Sequence, residues 1–410
     1  MTDIAKVEPV KLAERIGSID ILRGFAVLGI LILNIQHYSM ISAAYMNPTA
    51  YGDLNGANWL VWLYSHVFAD TKFMGLFSLL FGAGVLLFAD KAKAKGAKAP
   101  GLHYRRILWL LLFGILHGYF LWSGDILFSY AICALLVFLL RSLSPLKLLI
   151  IGLLIVSISS GIYLMFGLSM PHLPPEVVEG MSLEWWAPDD NTIAHELEAY
   201  RGSYGEQMTH RIPAALAMQT FILLIFSLWR AGGLMLIGMA LLKWGILSAK
   251  RSNRFYLLMV CFGFGIGIPL ILYGVHLHVE HGWAFTYSFF LGPQFNYWGS
   301  LFIVAAYIGA VMLAVRLIKN PRILAPLAAT GRMAFTNYIL QTVICTTIFY
   351  GHGFGLFGSV ERTGQILIVF GVWIFEILLS LLWLKHFRFG PLEWLWRSLT
   401  YWKLQPIKQS

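Results

Sequence analysis

Apolar stretches of roughly 20 residues recur from one end of the chain to the other, and nothing else in the sequence constrains the fold as strongly. In hydrocarbon such a run is stable only as a helix or in a closed barrel, because each backbone amide must find its partner within protein. The 410 residues are 58% hydrophobic and 12% charged, against about 25% charged in soluble proteins. This composition makes the chain an all-α integral membrane protein, a single polytopic domain over residues 1–410.

Charge distribution sets the expected threading. Lysine and arginine cluster in Lys6–Arg15, Lys91–Arg106, Arg141–Lys147, Lys243–Arg254, Arg316–Arg322 and Lys385–Lys408. The positive-inside rule puts these segments in the cytoplasm. Alternating them with the apolar runs predicts about ten spans, near 20–42, 59–89, 106–122, 126–140, 148–168, 212–247, 255–277, 297–317, 333–351 and 362–385, with both termini cytoplasmic. The acidic segment 169–211 is then an extracytoplasmic loop, and 387–410 reads as an amphipathic helix in the inner interface. The first apolar run lacks a small-x-small cleavage site, so it reads as a retained span. Runs 59–89 and 212–247 are too long for one straight helix, with breaks expected at Asp70–Lys72 and Arg230–Gly233. The net charge of +10 reads as topology and contact with anionic lipid, and no nucleic-acid module is present. Cys133, Cys261 and Cys345 all sit in apolar runs, as small buried hydrophobes do.

Ionisable residues inside spans are costly, which makes them functional candidates. On a helical wheel of the first span, Asp20, Arg23, Asn34 and His37 share one arc of about 100°. They line a polar path, or they glue helices together with an Asp20–Arg23 ion pair. In "HGYFLWSGDILFSY", residues 117–130, Ser123-Gly124 reads as the turn of a hairpin. Asp125 can cap the following helix, or it can orient the ring of His117. Histidine titrates near neutrality and suits proton transfer, although a lone helical histidine more often only packs. His66 and Asp70, one turn apart, and the run "HLHVEHG" (276–282) have loose metal-ligand spacing without a complete ligand set, so no metal is expected. Arg230 snorkels, or it caps a carboxylate or phosphate. Asn337 and Gln341 on span nine are interhelical glue or pocket lining, and Glu393 with Arg397 is most simply a surface pair.

The stretches "DILRGFAVLGILILNI", "KFMGLFSLLFGAG", "HGYFLWSGDILFSY", "GRMAFTNYILQT" and "GPLEWLWR" together resemble the YeiB family of bacterial inner-membrane proteins, in order and over nearly the whole chain. The opening "RG", followed eleven residues later by a polar residue, also resembles the transmembrane acyltransferase superfamily. That group includes the lysosomal heparan-α-glucosaminide acetyltransferase and the acyltransferases of bacterial surface sugars. The resemblance implies a plasma-membrane bundle that moves an acyl group from cytoplasmic acyl-CoA or acetyl-CoA to a sugar or lipid-linked acceptor on the far side, through a histidine. Many of those enzymes have histidine where this chain has Asn34. The role therefore passes to His117, oriented by Asp125, with His37 second.

On this reading Arg23, Arg105, Arg106 and Arg332 gather at the inner mouth around CoA phosphates. The first-span stripe, with Asp20, Asn34 and His37, and Asn337 line the path. Membrane lipid, acyl-CoA and an envelope sugar or lipid are the expected partners, and a homodimer is compatible. A transporter or flippase is the competing class, since broken helices and intramembrane charges are also transporter features. A scaffold or sensor without turnover is a third.

Overall fold

The computed structural model describes residues 17–96 and 99–409. The basic cluster Lys6–Arg15, Lys98 and Ser410 lie outside the described residues. The chain folds into helices α1 (Gly17–Ser39), α2 (Ser42–Met46), α3 (Gly56–Phe68), α4 (Lys72–Ala94), α5 (Ala99–Leu116), α6 (Leu127–Val137), α7 (Pro145–Ser169), α8 (Pro175–Trp185), α9 (Asp190–Arg201), α10 (Tyr204–Gln219), α11 (Leu228–Lys243), α12 (Asn253–Glu280), α13 (Phe285–Ser288), α14 (Pro293–Leu317), α15 (Pro321–Arg332), α16 (Ala334–Phe349), α17 (Arg362–His386) and α18 (Pro391–Tyr401). It is an all-α membrane protein. Among the described residues seven helical stretches are long and apolar enough to cross a membrane: α1, α3–α4, α7, α10–α11, α12, α13–α14 and α17. The fourth and ninth expected spans coincide with the shorter apolar helices Leu127–Leu140 and Ala334–Phe349. The third coincides with α5 and the π-helical turn His117–Leu121 that prolongs it.

Burial separates hub from rim. In α1 72% of the most apolar window is buried, against 22% in α12 and α17. Helix α1 is therefore the centre of the bundle, packed by α4, α14, α15, α16 and α17. The rim helices turn Leu154, Leu168, Phe262, Leu367 and Ile374 outward, the surface expected against lipid. At the hub the backbones nearly touch. A Cβ on Gly24 would stand 1.9 Å from the Leu327 carbonyl oxygen, and one on Gly331 would stand 1.8 Å from that of Asp20. Small residues at such crossings let helices approach closely where no hydrophobic effect drives them together.

The break in run 59–89 falls where the sequence predicts it. Thr71 takes a left-handed φ of 62° between α3 and α4. The carbonyls that the break frees are met internally: Tyr307 donates to the Phe68 oxygen at 2.6 Å, and the Lys72 ammonium donates to the His66 oxygen at 2.6 Å. Lys72 also donates to Asn296, which donates to Asp70 at 2.7 Å, while the His66 ring meets Asp70 at 3.2 Å. His66 and Asp70 thus staple a broken helix.

Several expectations are corrected. The break in 212–247 is a π-helical turn at Leu223–Ser227, upstream of the glycines. Arg230–Gly233 stay helical, because Gly233 faces the backbone of Gly152. Segment 169–211 folds into helices, since Asp189 caps α9 through the Thr192 amide and Ser203 with Glu206 forms a capping box on α10. The hydrogen bond to Thr192 holds the Asp189 carboxyl below its ordinary range. Within 387–410 the helix is short, ending at Tyr401, and the chain returns to pair Lys408 with Phe387. Cys261 is exposed on the rim, whereas Cys133 and Cys345 are buried.

The crossing of α1 and α15 predicts an asymmetry between two single-methyl changes. Gly24→Ala forces backbones apart and should destabilise by about 1–3 kcal/mol, the scale for overpacking. Gly161→Ala meets nothing within 4 Å and should unfold at or above the wild-type temperature. Thermal unfolding of the two purified variants checks this.

Candidate functional site

The site is built on the hairpin between α5 and α6. Helix α5 widens into a π-helical turn that closes with the Trp122 amide on the His117 oxygen at 2.9 Å. Such turns shift the register of side chains and recur at functional sites. The chain reverses at Ser123-Gly124, where a Cβ on Gly124 would stand 2.3 Å from the Trp122 indole. This close fold returns Asp125 to the ring it follows by eight residues.

Asp125 fills both roles open to it. Its Oδ1 accepts from His117 Nδ1 at 2.8 Å, and its Oδ2 accepts from the Phe128 amide at 2.8 Å, in the first turn of α6. Because both carboxylate oxygens accept, the ring proton belongs on Nδ1, and Nε2 is the acceptor. The Thr342 hydroxyl of α16 donates to Nε2 at 2.9 Å, and the Tyr38 hydroxyl of α1 lies 2.7 Å from Thr342. The ordered chain is Tyr38, Thr342, His117, Asp125. His117, Asp125, Thr342 and Tyr38 are all buried. Thr342 has a second acceptor within reach, the Tyr338 carbonyl at 3.4 Å, so it can release Nε2 without losing its own hydrogen bond.

A cavity of about 310 Å³ occupies the opposite, basic end of the bundle. Five cations line it, Arg23, Lys91, Arg106, Arg332 and Arg397, against two carboxylates, Asp20 and Glu393. Asp20 pairs with Arg23 at 2.9 Å, and Arg106 lies over Trp396 at 4.3 Å. The rest of the wall is mostly apolar, with His103 and Thr400 among its polar members, and runs up to Ile126, Leu127 and Tyr338. The Tyr338 ring centroid is 5.2 Å from that of His117. The cavity therefore ends one aromatic ring below the buried histidine. It can take a molecule with an anionic head and a slender, apolar-tolerant arm.

The remaining candidates separate from this arrangement. Arg105 is absent from the cavity wall and faces the Trp402 ring at 6.0 Å. Asn337 is interhelical: its amide donates to the Thr330 oxygen at 3.2 Å and to Ser380 at 3.0 Å. Gln341 likewise donates to the Val27 oxygen and to Glu376. Asn34 and His37 are half-buried on α1, outside the cavity wall, with His37 packed on Trp122 and Tyr45. Arg230 neither snorkels nor meets a carboxylate. It is fully buried, donates to the Tyr297 oxygen and to Ser300, and lies 4.1 Å over the Tyr297 ring. The histidines of 276–282 diverge, His278 stacking on Trp283 and His281 on Tyr287. No group of three or more metal-ligating side chains occurs among the described residues.

Residues 241–403 match the family model described as a protein of unknown function, DUF418. The chain is 32% identical to the uncharacterized protein YeiB of Escherichia coli (strain K12), covering 94% of this chain and 96% of that one. It is 32% identical to the uncharacterized protein YxaH of Bacillus subtilis (strain 168), covering 99% of each. The chain belongs to the YeiB family. No solved structure matches it. At 99% coverage, the match to YxaH takes in the hairpin, the basic cavity and the α18 segment of this YeiB-family protein.

Sequence reasoning missed Thr342 and Tyr38. Tyr38 stands at about 60° on the same wheel that collects Asp20, Arg23, Asn34 and His37, so the polar arc already contained it. Thr342 follows Gln341 on span nine and had no signal of its own. Glu393 was misread. Rather than pairing with Arg397 on the surface, it accepts from the Phe335 and Thr336 amides at 2.7 and 3.1 Å and from the Thr336 hydroxyl at 2.6 Å. It caps the N-terminus of α16 from α18. Glu393→Ala should therefore cost about 1–2 kcal/mol, the range for losing a helix cap, and Arg397→Ala should cost less. Comparing their unfolding temperatures distinguishes a cap from a surface pair.

Proposed function

We propose that this protein is a membrane acyltransferase that carries an acyl group from acyl-CoA in the basic cavity to a hydroxyl or amine acceptor at the hairpin end. One observation carries the reading: a buried Asp125–His117 pair already holds an aliphatic hydroxyl on Nε2 at 2.9 Å, above a cationic cavity. Thr342 occupies the place an acceptor hydroxyl would take. On this reading Thr342 turns to its own helix, and the acceptor oxygen or nitrogen gives its proton to His117 Nε2 as it attacks the thioester carbonyl. The C–S bond breaks, and the imidazolium returns the proton to the leaving thiolate. The Asp125 carboxylate holds the ring and offsets its transient charge.

Arg23, Arg106 and Arg332 fit the donor's phosphates, and the apolar upper wall fits its thioester arm. The positive-inside rule then places the cavity on the cytoplasmic side and the helical segment 169–211 outside, in a bacterial plasma membrane. Transport without chemistry is the alternative. It needs no Asp–His–hydroxyl chain and no acyl-CoA.

Purified protein should bind acyl-CoA, and Arg106→Ala or Arg332→Ala should weaken binding by about 1–3 kcal/mol, the scale for a charge-assisted hydrogen bond. Arg105→Ala should leave the affinity close to wild type. Acyl-CoA affinity unchanged by all these substitutions would remove the donor site.

His117→Ala should keep acyl-CoA binding and lower acyl transfer by about 10²- to 10⁴-fold. Asp125→Asn should lose less. If His117→Ala retains turnover and His37→Ala abolishes it, the base lies on α1 instead. Cysteine labelling at Glu184 from the cytoplasmic side alone would reverse the sidedness.

A further inference from the structure

Arg211 on α10 is fully buried, and its three guanidinium nitrogens have no hydrogen-bond partner. It lies over the rings of Tyr204 and Tyr350, at 5.3 and 6.0 Å. A buried cation without a counter-charge is among the most costly groups a fold can carry. The nearby carboxylate, Glu196, is already engaged by the amide and hydroxyl of Ser42 at 2.9 and 2.7 Å. His352 is held by Gln207 at 3.2 Å. Two further buried donors near the hairpin are also unpartnered, Trp122 Nε1 and Gln219 Nε2. Gln219 faces Gly118, where a Cβ would stand 2.9 Å from its Nε2. Tyr204 ties α10 to the same turn by donating to the Phe120 oxygen at 2.7 Å. The Arg211 guanidinium, Trp122 Nε1 and Gln219 Nε2 are all donors and one of them is a cation, so the group that would satisfy them is rich in acceptors and negatively charged.

We propose that Arg211 binds a phosphate oxoanion, with the rest of the bound molecule extending along α10 toward Gln219 and the His117 turn. Arg211 and Gln219 are eight residues apart, roughly 12 Å along the helix, so a bare phosphate fills only the first position. A phosphodiester carrying a hydroxyl or amine spans more of the distance. The outward residues Ile212 and Leu216 of α10 and Phe120 of the turn are exposed and apolar, which is compatible with a phosphate arriving on a lipid headgroup. That this molecule is the acyl acceptor rests on the acyl-transfer reading; the oxoanion site itself does not.

The test uses the full-length protein and needs neither acyl-CoA nor turnover, so its failure is separate from that of acyl transfer. Thermal unfolding is measured in detergent with inorganic phosphate against chloride at equal ionic strength, and in phosphatidylcholine nanodiscs with and without phosphatidylglycerol. Wild type should be stabilised by at least one probe. A response to phosphate assigns a soluble source, and a response confined to phosphatidylglycerol assigns a lipid source. Arg211→Met should lose the response while unfolding no lower than wild type without ligand, since it removes an uncompensated charge. Arg211→Lys keeps the charge and loses the planar fork, so it should fold and respond about tenfold more weakly. Absence of any wild-type response, or a full response in Arg211→Lys together with Arg211→Met, overturns the site. So does destabilisation of Arg211→Met without any ligand effect in wild type, which would make the arginine a packing element for Tyr204 and Tyr350.

Discussion

A polar group inside hydrocarbon has no water to turn to, and the structure depends on how each such group is met within the protein. The broken helix at Thr71 survives because Tyr307 and Lys72 take its carbonyls. Arg362 survives because the oxygens of Pro48, Tyr51 and Asp53 converge on it. Asp125 and His117 survive because each satisfies the other, and because Phe128 and Thr342 take what remains. Where this internal matching answers the charge, as three carbonyls do at Arg362, the residue holds the fold. Where it is incomplete, as at Arg211, whose three guanidinium nitrogens are all unpartnered, the fold carries a charge that it does not itself answer.

The same constraint decides which parts were legible in the sequence. Length and hydrophobicity determine spans, so all ten expected runs coincide with helical segments. The break at Asp70–Lys72 was legible because charge interrupts an apolar run. The π-helical turns at His117 and Leu223 were not, because a one-residue change of register leaves no compositional trace. Glycines misled in the opposite direction. Gly232-Gly233 read as a break, yet Gly233 serves the close contact of α11 with α7.

Partners far apart in sequence account for the rest. Spacing could offer Asp125 as a cap or as an orienter and could not reveal that two carboxylate oxygens allow both. Glu393 and Arg397 satisfied an i,i+4 rule, but the true partners of Glu393 lie 57 and 58 residues away. Arg230 was recognised as anomalous, and its partners Tyr297 and Ser300 lie 67 and 70 residues away. Local patterns identify which residues need a partner; the fold decides which partner they get.

Helix α16 joins the two ends of the molecule. Its first turn is capped by Glu393 of α18, at the edge of the basic cavity. One turn on, Tyr338 forms the upper cavity wall, and a further turn places Thr342 on His117. An adjacent face of the same helix, about 100° round, is pinned by Asn337 to Ser380 and by Gln341 to Glu376 of α17 and to Val27 of α1. Rotation of α16 by even a fraction of a turn would break these bonds together. The hydroxyl on His117 Nε2 is therefore positioned by contacts reaching back to the cavity end of the bundle, and α16 with its Tyr338 ring is one physical link between the cavity and the histidine, beside α5 and the Ile126–Leu127 turn that also line the cavity.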